Sequence, residues 1–203
     1  MKTIQQDTYL FSELGERAKQ SVIERESKFI SEDWDYLDGD FYIDTAKEDL
    51  EENGWEDVEI AYSGFSSQGD GFSFTGNVSD LHKVLLWAGE SEESIVKNWS
   101  VAVREHKEGE LVLSMYRDNG GRYVHENSVR LDVEYSGDTI VIEEILEELK
   151  NIIEEKKTSF CKETYKTMGT AYYTSMSDEN ITERLLEQDG EEGERYLENG
   201  TLA

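Results

Sequence analysis

Residues 62–76 read YSGFSSQGDGFSFTG, with glycines at Gly64, Gly69, Gly71 and Gly76. Read as a phosphate cradle, the run opens a nucleotide-binding domain. Read as a turn, it joins two strands of an antiparallel sheet. A P-loop ends in Gly-Lys-Ser/Thr, and no lysine lies within this run. Dinucleotide-binding spacing fails as well, because Gly69-Asp70-Gly71 leads into Phe72-Ser73-Phe74, and Asp70 would repel a pyrophosphate. A calcium loop needs several oxygen ligands at alternate positions, whereas Asp70 is the one carboxylate here. What remains is a strand–turn–strand connection. Asp70-Gly71 suits a turn needing positive φ, and Gly69 adds freedom. Phe65, Ser66, Ser67 and Gln68 then form an exposed aromatic among hydrogen-bonding groups, on the kind of loop where binding residues gather.

Outward from this turn the patterns alternate between strand and helix. Val58, Ile60 and Tyr62 alternate with Glu59 and Ala61 before it, and Phe72, Phe74 and Gly76 follow it. Residues 79–88 form a helix opened by Ser79-Asp80. A second helix covers 91–107, where Ser91 begins a Ser-x-x-Ser cap and Ile95, Trp99, Ala102 and Val103 share a face. Leu111, Leu113 and Met115 alternate as a strand, and Asn119-Gly120 supplies a hairpin turn. Its partner strand runs from Tyr123 and His125 through Val129, Leu131, Val133 and Tyr135, with an irregularity near Asn127. A long helix follows from Ile140 to about Met168, with Ile142, Ile145, Leu149, Ile152, Ile153 and Phe160 on its apolar stripe. Helices are also expected over 9–27, 41–53 and 178–189.

This order predicts an α+β fold: an antiparallel sheet of about four strands covered by helices, including one long C-terminal helix. The expected core is Ile60, Tyr62, Phe72, Phe74, Leu113, Met115, Leu131 and Val133 under Leu149, Ile152 and Ile153. The expected organisation is a single α+β domain over 1–203, with 1–30 as an N-terminal helical extension and 178–203 as an acidic C-terminal segment.

Charge bounds the function. The chain carries 47 Asp+Glu against 20 Lys+Arg, a net charge of -27. Residues 31–59 hold thirteen acids against Lys47 alone, and residues 178–203 hold nine acids against two bases. Such blocks repel nucleic acid and membrane surfaces and attract proteins with basic grooves. Solubility alone is the bland reading of this charge; a halophile's surface is a second, disfavoured by twelve lysines. No apolar run approaches the roughly 18 residues of a membrane span, and the first residues lack a signal-peptide core. Cys161 is the only cysteine, so no internal disulfide forms, and a cytoplasmic location is expected.

The run SGFSSQGDGFSFTG, followed some fifty residues later by GRYVHENSV, resembles a family of small bacteriophage- and prophage-encoded proteins, some labelled antitoxin-like. The resemblance rests on Ser63, Gly64, Phe65, Ser67, Gln68, Gly69, Asp70, Gly71, Phe74 and Gly76, then Tyr123 and His125. It covers about residues 40–200 and implies a mobile-element origin. It names no activity.

Other chemistry is weaker. Asp33, Asp35, Asp38 and Asp40 miss calcium-loop register, because Leu37 and Gly39 fall at the fifth and seventh positions counted from Asp33. His82, His106 and His125 lack zinc-ligand spacing. Cys161 reads as an inert helix residue. No metal or cofactor is expected.

Three readings follow, in order. The first is a phage-borne inhibitor that blocks a basic host protein (a defence effector, a toxin or a nucleic-acid-binding protein) through a nucleic-acid-mimicking acidic surface. Asp33, Asp35, Asp38 and Asp40 would pair with the partner's arginines while Trp34 stacks on them from an exposed turn. The second is a small-molecule or peptide binding module at Phe65, Ser66, Gln68, Asp70 and His125. The third is an enzyme using Asp70 and His125. A homodimer is compatible with all three.

Overall fold

The computed structural model describes residues 7–34, 39–117, 123–137, 142–189 and 194–203. Its elements run α1 (Glu16–Trp34), α2 (Asp40–Glu52), β1 (Trp55–Tyr62), β2 (Phe72–Val78), α3 (Leu81–Trp87), α4 (Glu92–Ser94), α5 (Ser100–Lys107), β3 (Leu111–Arg117), β4 (Val129–Tyr135), α6 (Ile142–Ser175) and α7 (Asp178–Glu187). The fold is α+β, with four antiparallel strands in the order β1-β2-β3-β4 and a long C-terminal helix. The Asn119-Gly120 turn lies outside the described residues. The chain divides into two compact units: Phe41–Thr167, and the described residues of Met1–Asp40 with Met168–Ala203.

In the first unit, the sheet buries Phe72, Phe74, Leu113, Met115 and Leu131 under Leu149 and Ile153 of α6, as the periodicity predicts. Ile60, Tyr62, Val133 and Ile152 are only half-buried. The missing volume comes from tryptophan. Trp55 meets Phe74 edge-on at 5.1 Å and Trp87 at 6.1 Å, while Phe160 of α6 meets Trp87 at 5.6 Å. Such edge-to-face pairs suit the aromatic quadrupole.

Trp55 faces inward because β1 carries a bulge. Register shifts between Glu56 and Glu59, and Asp57 takes a left-handed φ of 53°. One extra residue puts Trp55 and Val58, three apart, on the same face. Opposite the bulge, a Cβ on Gly76 would stand 3.0 Å from the Glu56 carbonyl, so the bulged strand needs a glycine across from it.

Asp80 caps α3, accepting from the N–H of His82 and Lys83, and Ser91 caps α4 by accepting from Ser94 N. Between α4 and α5, residues Ile95–Trp99 are π-helical and bury Ile95 and Trp99.

In the second unit, Phe11, Leu14, Ala18, Val22, Ile23, Ile30, Ile181, Leu185 and Tyr196 form one core. The helix expected from residue 9 starts at Glu16. Residues Phe11–Glu13 make a 3₁₀ turn instead, whose Phe11 and Ser12 N–H groups donate to Asp189 at 2.9 and 2.6 Å. Burial works against ionising Asp189, but these bonds outweigh it and hold its carboxyl below the usual value.

Residues near the two described ends of this unit are tied to each other. Tyr9 and Tyr196 exchange backbone hydrogen bonds at 2.8 and 2.9 Å. Arg25 donates to the Gly200 carbonyl at 3.2 Å and lies over the Tyr196 ring at 5.6 Å. Tyr196 is a core residue in a stretch whose charge suggests only a polar tail.

Candidate functional site

The acidic segment becomes a helix. At 100° per residue, Asp40, Asp44, Glu48 and Glu51 of α2 fall on one face, opposite buried Ala46 and Leu50. All four are exposed. Spacings of three or four residues set neighbouring carboxylates about 4.5–6 Å apart along the axis. Lys47 is the sole base on this helix and lies 3.9 Å from Glu51. Phe41 borders the same face and is 68% exposed.

Trp34 does not serve as an exposed anchor. It ends α1 at 4% exposure and meets Tyr172 edge-on at 5.3 Å. Its spacing from Ile30 puts it on the buried stripe of α1, so the helix runs past the point where clustered acids suggest a turn. Asp33 is exposed just before it, where helical geometry lapses (φ −116°, ψ 20°). Asp40 opens α2. Asp35 and Asp38 lie outside the described residues.

The glycine-rich run is a nine-residue loop, longer than a tight turn. Ser63 N–H donates to the Gly71 carbonyl at 3.1 Å and closes it. Asp70 fastens the loop from inside: its Oδ2 accepts from Ser66 N at 3.1 Å and Ser67 N at 2.6 Å. Gly69 has a φ of 101°, as expected of one of the two glycines. Gly71 does not take positive φ. It is required for space, since a Cβ there would stand 2.5 Å from the His125 Cβ and 2.6 Å from the Val124 carbonyl.

The fold thus brings the loop and the Tyr-x-His segment together. A Cβ on Gly69 would collide with the Tyr123 ring, and that ring stacks on His125 at 6.3 Å. His125 Nδ1 accepts from Asn127 N at 3.0 Å, capping the 3₁₀ turn Glu126–Ser128. This turn replaces the first half of the expected long strand. Phe65 is not an exposed anchor either. It is half-buried and stacks on Tyr165 of α6 at 5.4 Å, while the Tyr165 hydroxyl donates to the Gly64 carbonyl at 2.8 Å. Ser66 and Gln68 remain exposed.

A buried lysine holds this region. Lys157 is 2% exposed, and its Nζ donates to the carbonyls of Glu126 (2.9 Å) and Val129 (3.1 Å) and pairs with Glu154 at 2.6 Å. Glu154 Oε1 accepts from Leu131 N at 2.6 Å. Because β4 is an edge strand, the Glu154–Lys157 pair satisfies outward backbone groups that would otherwise invite pairing with another chain. One turn further along α6, burial pushes the Cys161 thiol up to about 12, which keeps it protonated and unreactive at neutral pH.

Residues 28–178 match the family model described as Domain of unknown function (DUF8835). The chain belongs to this family. The DUF8835 match includes α2, the glycine-rich loop, the Tyr123–His125 segment and the Glu154–Lys157 pair. Neither the curated proteins nor the solved structures hold a match. Among the described residues, no cluster of His, Cys, Asp and Glu could hold a metal ion, and no helix is long and apolar enough to cross a membrane.

Proposed function

We propose that this protein captures a basic protein through its acidic surface, and that α2 is the contact element. The observation that carries the reading is the α2 face, where Asp40, Asp44, Glu48 and Glu51 flank the 68% exposed Phe41. A ring amid carboxylates matches an arginine-lined groove, since guanidinium stacks on the ring while its fork pairs with the acids. Phe41 takes the role that the sequence suggests for Trp34. Carboxylates at regular intervals also occupy sites shaped for phosphates, which supports a nucleic-acid-mimicking inhibitor of a host defence effector or toxin. The resemblance to phage-encoded proteins agrees with such a role.

The test is a pull-down from host extract with the full chain, at low and high salt. A partner lost at high salt, and lost equally by the variant D40N/D44N/E48Q/E51Q, supports the reading. A partner retained by that variant and indifferent to salt refutes it.

A second reading places a small ligand at the loop. Tyr123 is 52% exposed beside His125, and Ser66 and Gln68 offer polar groups nearby in the chain. Resonance shifts confined to Tyr123, His125 and Gln68 on adding aromatic heterocycles would support it, and their absence across such a set would remove it. Turnover through Asp70 and His125 has less support, because Asp70 Oδ2 and His125 Nδ1 already accept backbone N–H groups.

A further inference from the structure

We infer that the groove between α1 and α7 is a docking site for a cationic amphipathic helix of another protein. It goes beyond the α2 reading and does not depend on it, since no α2 residue lines the groove.

The groove has a volume of about 760 Å³, within the roughly 300–1,000 Å³ typical of binding clefts. Its apolar part comes from Ile23 of α1 and Leu186 of α7, and Leu186 is 47% exposed. Asp178, Glu179, Glu183 and Glu187 complete the α7 side. On a helical projection Leu186 sits in the middle of these four carboxylates, while Ile181 and Leu185 point the other way into the core.

Two features set the chemistry of the occupant. Glu179, Glu183 and Glu187 stand at successive spacings of four, so each repels the next along the helix. None of the four acids enters an ion pair among the described residues, although Arg184 on the same helix pairs with Glu26 at 3.3 Å. Asp178 and Glu179 lie in the first turn, where the helix N-terminus favours acids, so the repulsion is least offset at Glu183 and Glu187, which border the half-exposed leucine. An apolar side chain seated on Leu186 and Ile23, flanked one turn away by lysine or arginine, would bury the leucine and neutralise the ladder at once. Nucleic acid is repelled by the same charges. A neutral helix leaves the carboxylates uncompensated.

The probe is an 18-residue lysine–leucine amphipathic peptide, with fluorescence anisotropy read against the full chain at low and moderate salt. E179Q/E183Q/E187Q should weaken binding at least tenfold, and L186A, which keeps every charge, at least threefold. Neutralising E147Q/E148Q/E155Q, three exposed acids of α6 that belong to neither surface, should change it less than twofold. Circular dichroism checks that each variant is folded; the glutamines relieve repulsion and Leu186 is half-exposed, so the fold should hold. If the α6 variant loses as much as the groove variant, the peptide reads only net charge and the site is refuted. If L186A binds like the parent, the groove is not where the peptide sits. A dimer of the chain that L186A dissolves would place a second copy there and overturn the choice of occupant. The α2 reading is scored by the pull-down and the groove by this peptide, so the failure of one surface is distinguishable from the failure of the other.

Discussion

Replacing Lys157 by methionine should destabilise the Phe41–Thr167 unit by about 3–5 kcal/mol, the range for stranding one partner of a buried ion pair. Methionine keeps much of the apolar stem, so the loss isolates the ammonium. Three groups lose their donor: the Glu154 carboxylate at 2.6 Å and the carbonyls of Glu126 and Val129 at 2.9 and 3.1 Å. The Val129 carbonyl belongs to a residue 1% exposed, and a buried acceptor left unmet costs about 1–3 kcal/mol. Glu154 is partly solvated, its side chain 26% exposed, so its stranded charge contributes less than in a dry core. Urea unfolding followed by tryptophan fluorescence reads the change, because Trp55, Trp87 and Trp99 all lie in this unit. E154Q retains an acceptor for the Leu131 N–H while removing the charge. The pair K157M/E154Q should therefore lose less than the sum of the single variants, by at least about 1 kcal/mol. A K157M loss below about 1 kcal/mol, the scale of a surface pair, would refute the assignment of Lys157 as the fastener of the edge strand. An additive cycle would refute its coupling to Glu154.

Leu149 of α6 is fully buried, so Leu149→Ala should cost about 2–5 kcal/mol in the same assay, and a loss under about 0.5 kcal/mol would place it at the surface. Gly69→Ala should cost more than Gly89→Ala, although their φ values of 101° and 99° are nearly equal, because only the first Cβ would meet an aromatic ring; equal losses would mean that the loop does not press on Tyr123. Stability should fall as pH rises from 9 toward 12, since burial raises the Cys161 thiol from 9.0 to about 12: below pH 9 both states are protonated, and above it only the unfolded chain releases the proton. One such group gives a slope of about 1.4 kcal/mol per pH unit, and C161A should flatten it; an unchanged slope would show that the thiol does not titrate differently on unfolding.

The fold was legible where one periodicity ran unbroken. Leu111, Leu113 and Met115 are buried on alternate positions, and Ser91 and Asp80 cap the helices whose starts they mark. Legibility failed where a single residue changed the register. The bulge at Asp57 moves Trp55 inward, and no alternation beginning at Val58 predicts that. It failed again where acidity was taken for exposure, since Trp34 and Tyr196 are core residues in strongly acidic stretches. At the site, the meeting of Gly69 and Gly71 with Tyr123 and His125 is a tertiary fact; the sequence shows two motifs and the fold shows one cluster. Lys157 had a readable signal. Leu149, Ile153, Lys157 and Cys161 recur every four residues, and a lysine in such a row has to be buried or break the stripe.

Where the bases go bears on how the acidity can act. Lys157 holds the β4 edge from a buried position, and Arg25 ties down Gly200 and Tyr196. Arg117 donates to buried Ser73 at 3.0 Å, and Lys156 lies 5.2 Å from the Trp87 ring centroid. These cations fasten the fold from within or against its rings, so their charge contributes least where a partner would approach. The carboxylates of α2 and α7 have the opposite disposition, lining helix faces that meet Lys47 and little else. The net charge of -27 is therefore unevenly spread, since exposed bases such as Lys28, Arg104 and Lys162 stand on other elements than α2 and α7. The field outside those two helices is more negative than the total implies, and the long-range attraction of a basic partner follows this local density. Composition raises that possibility of attraction; only the placement of the bases says which faces would exert it.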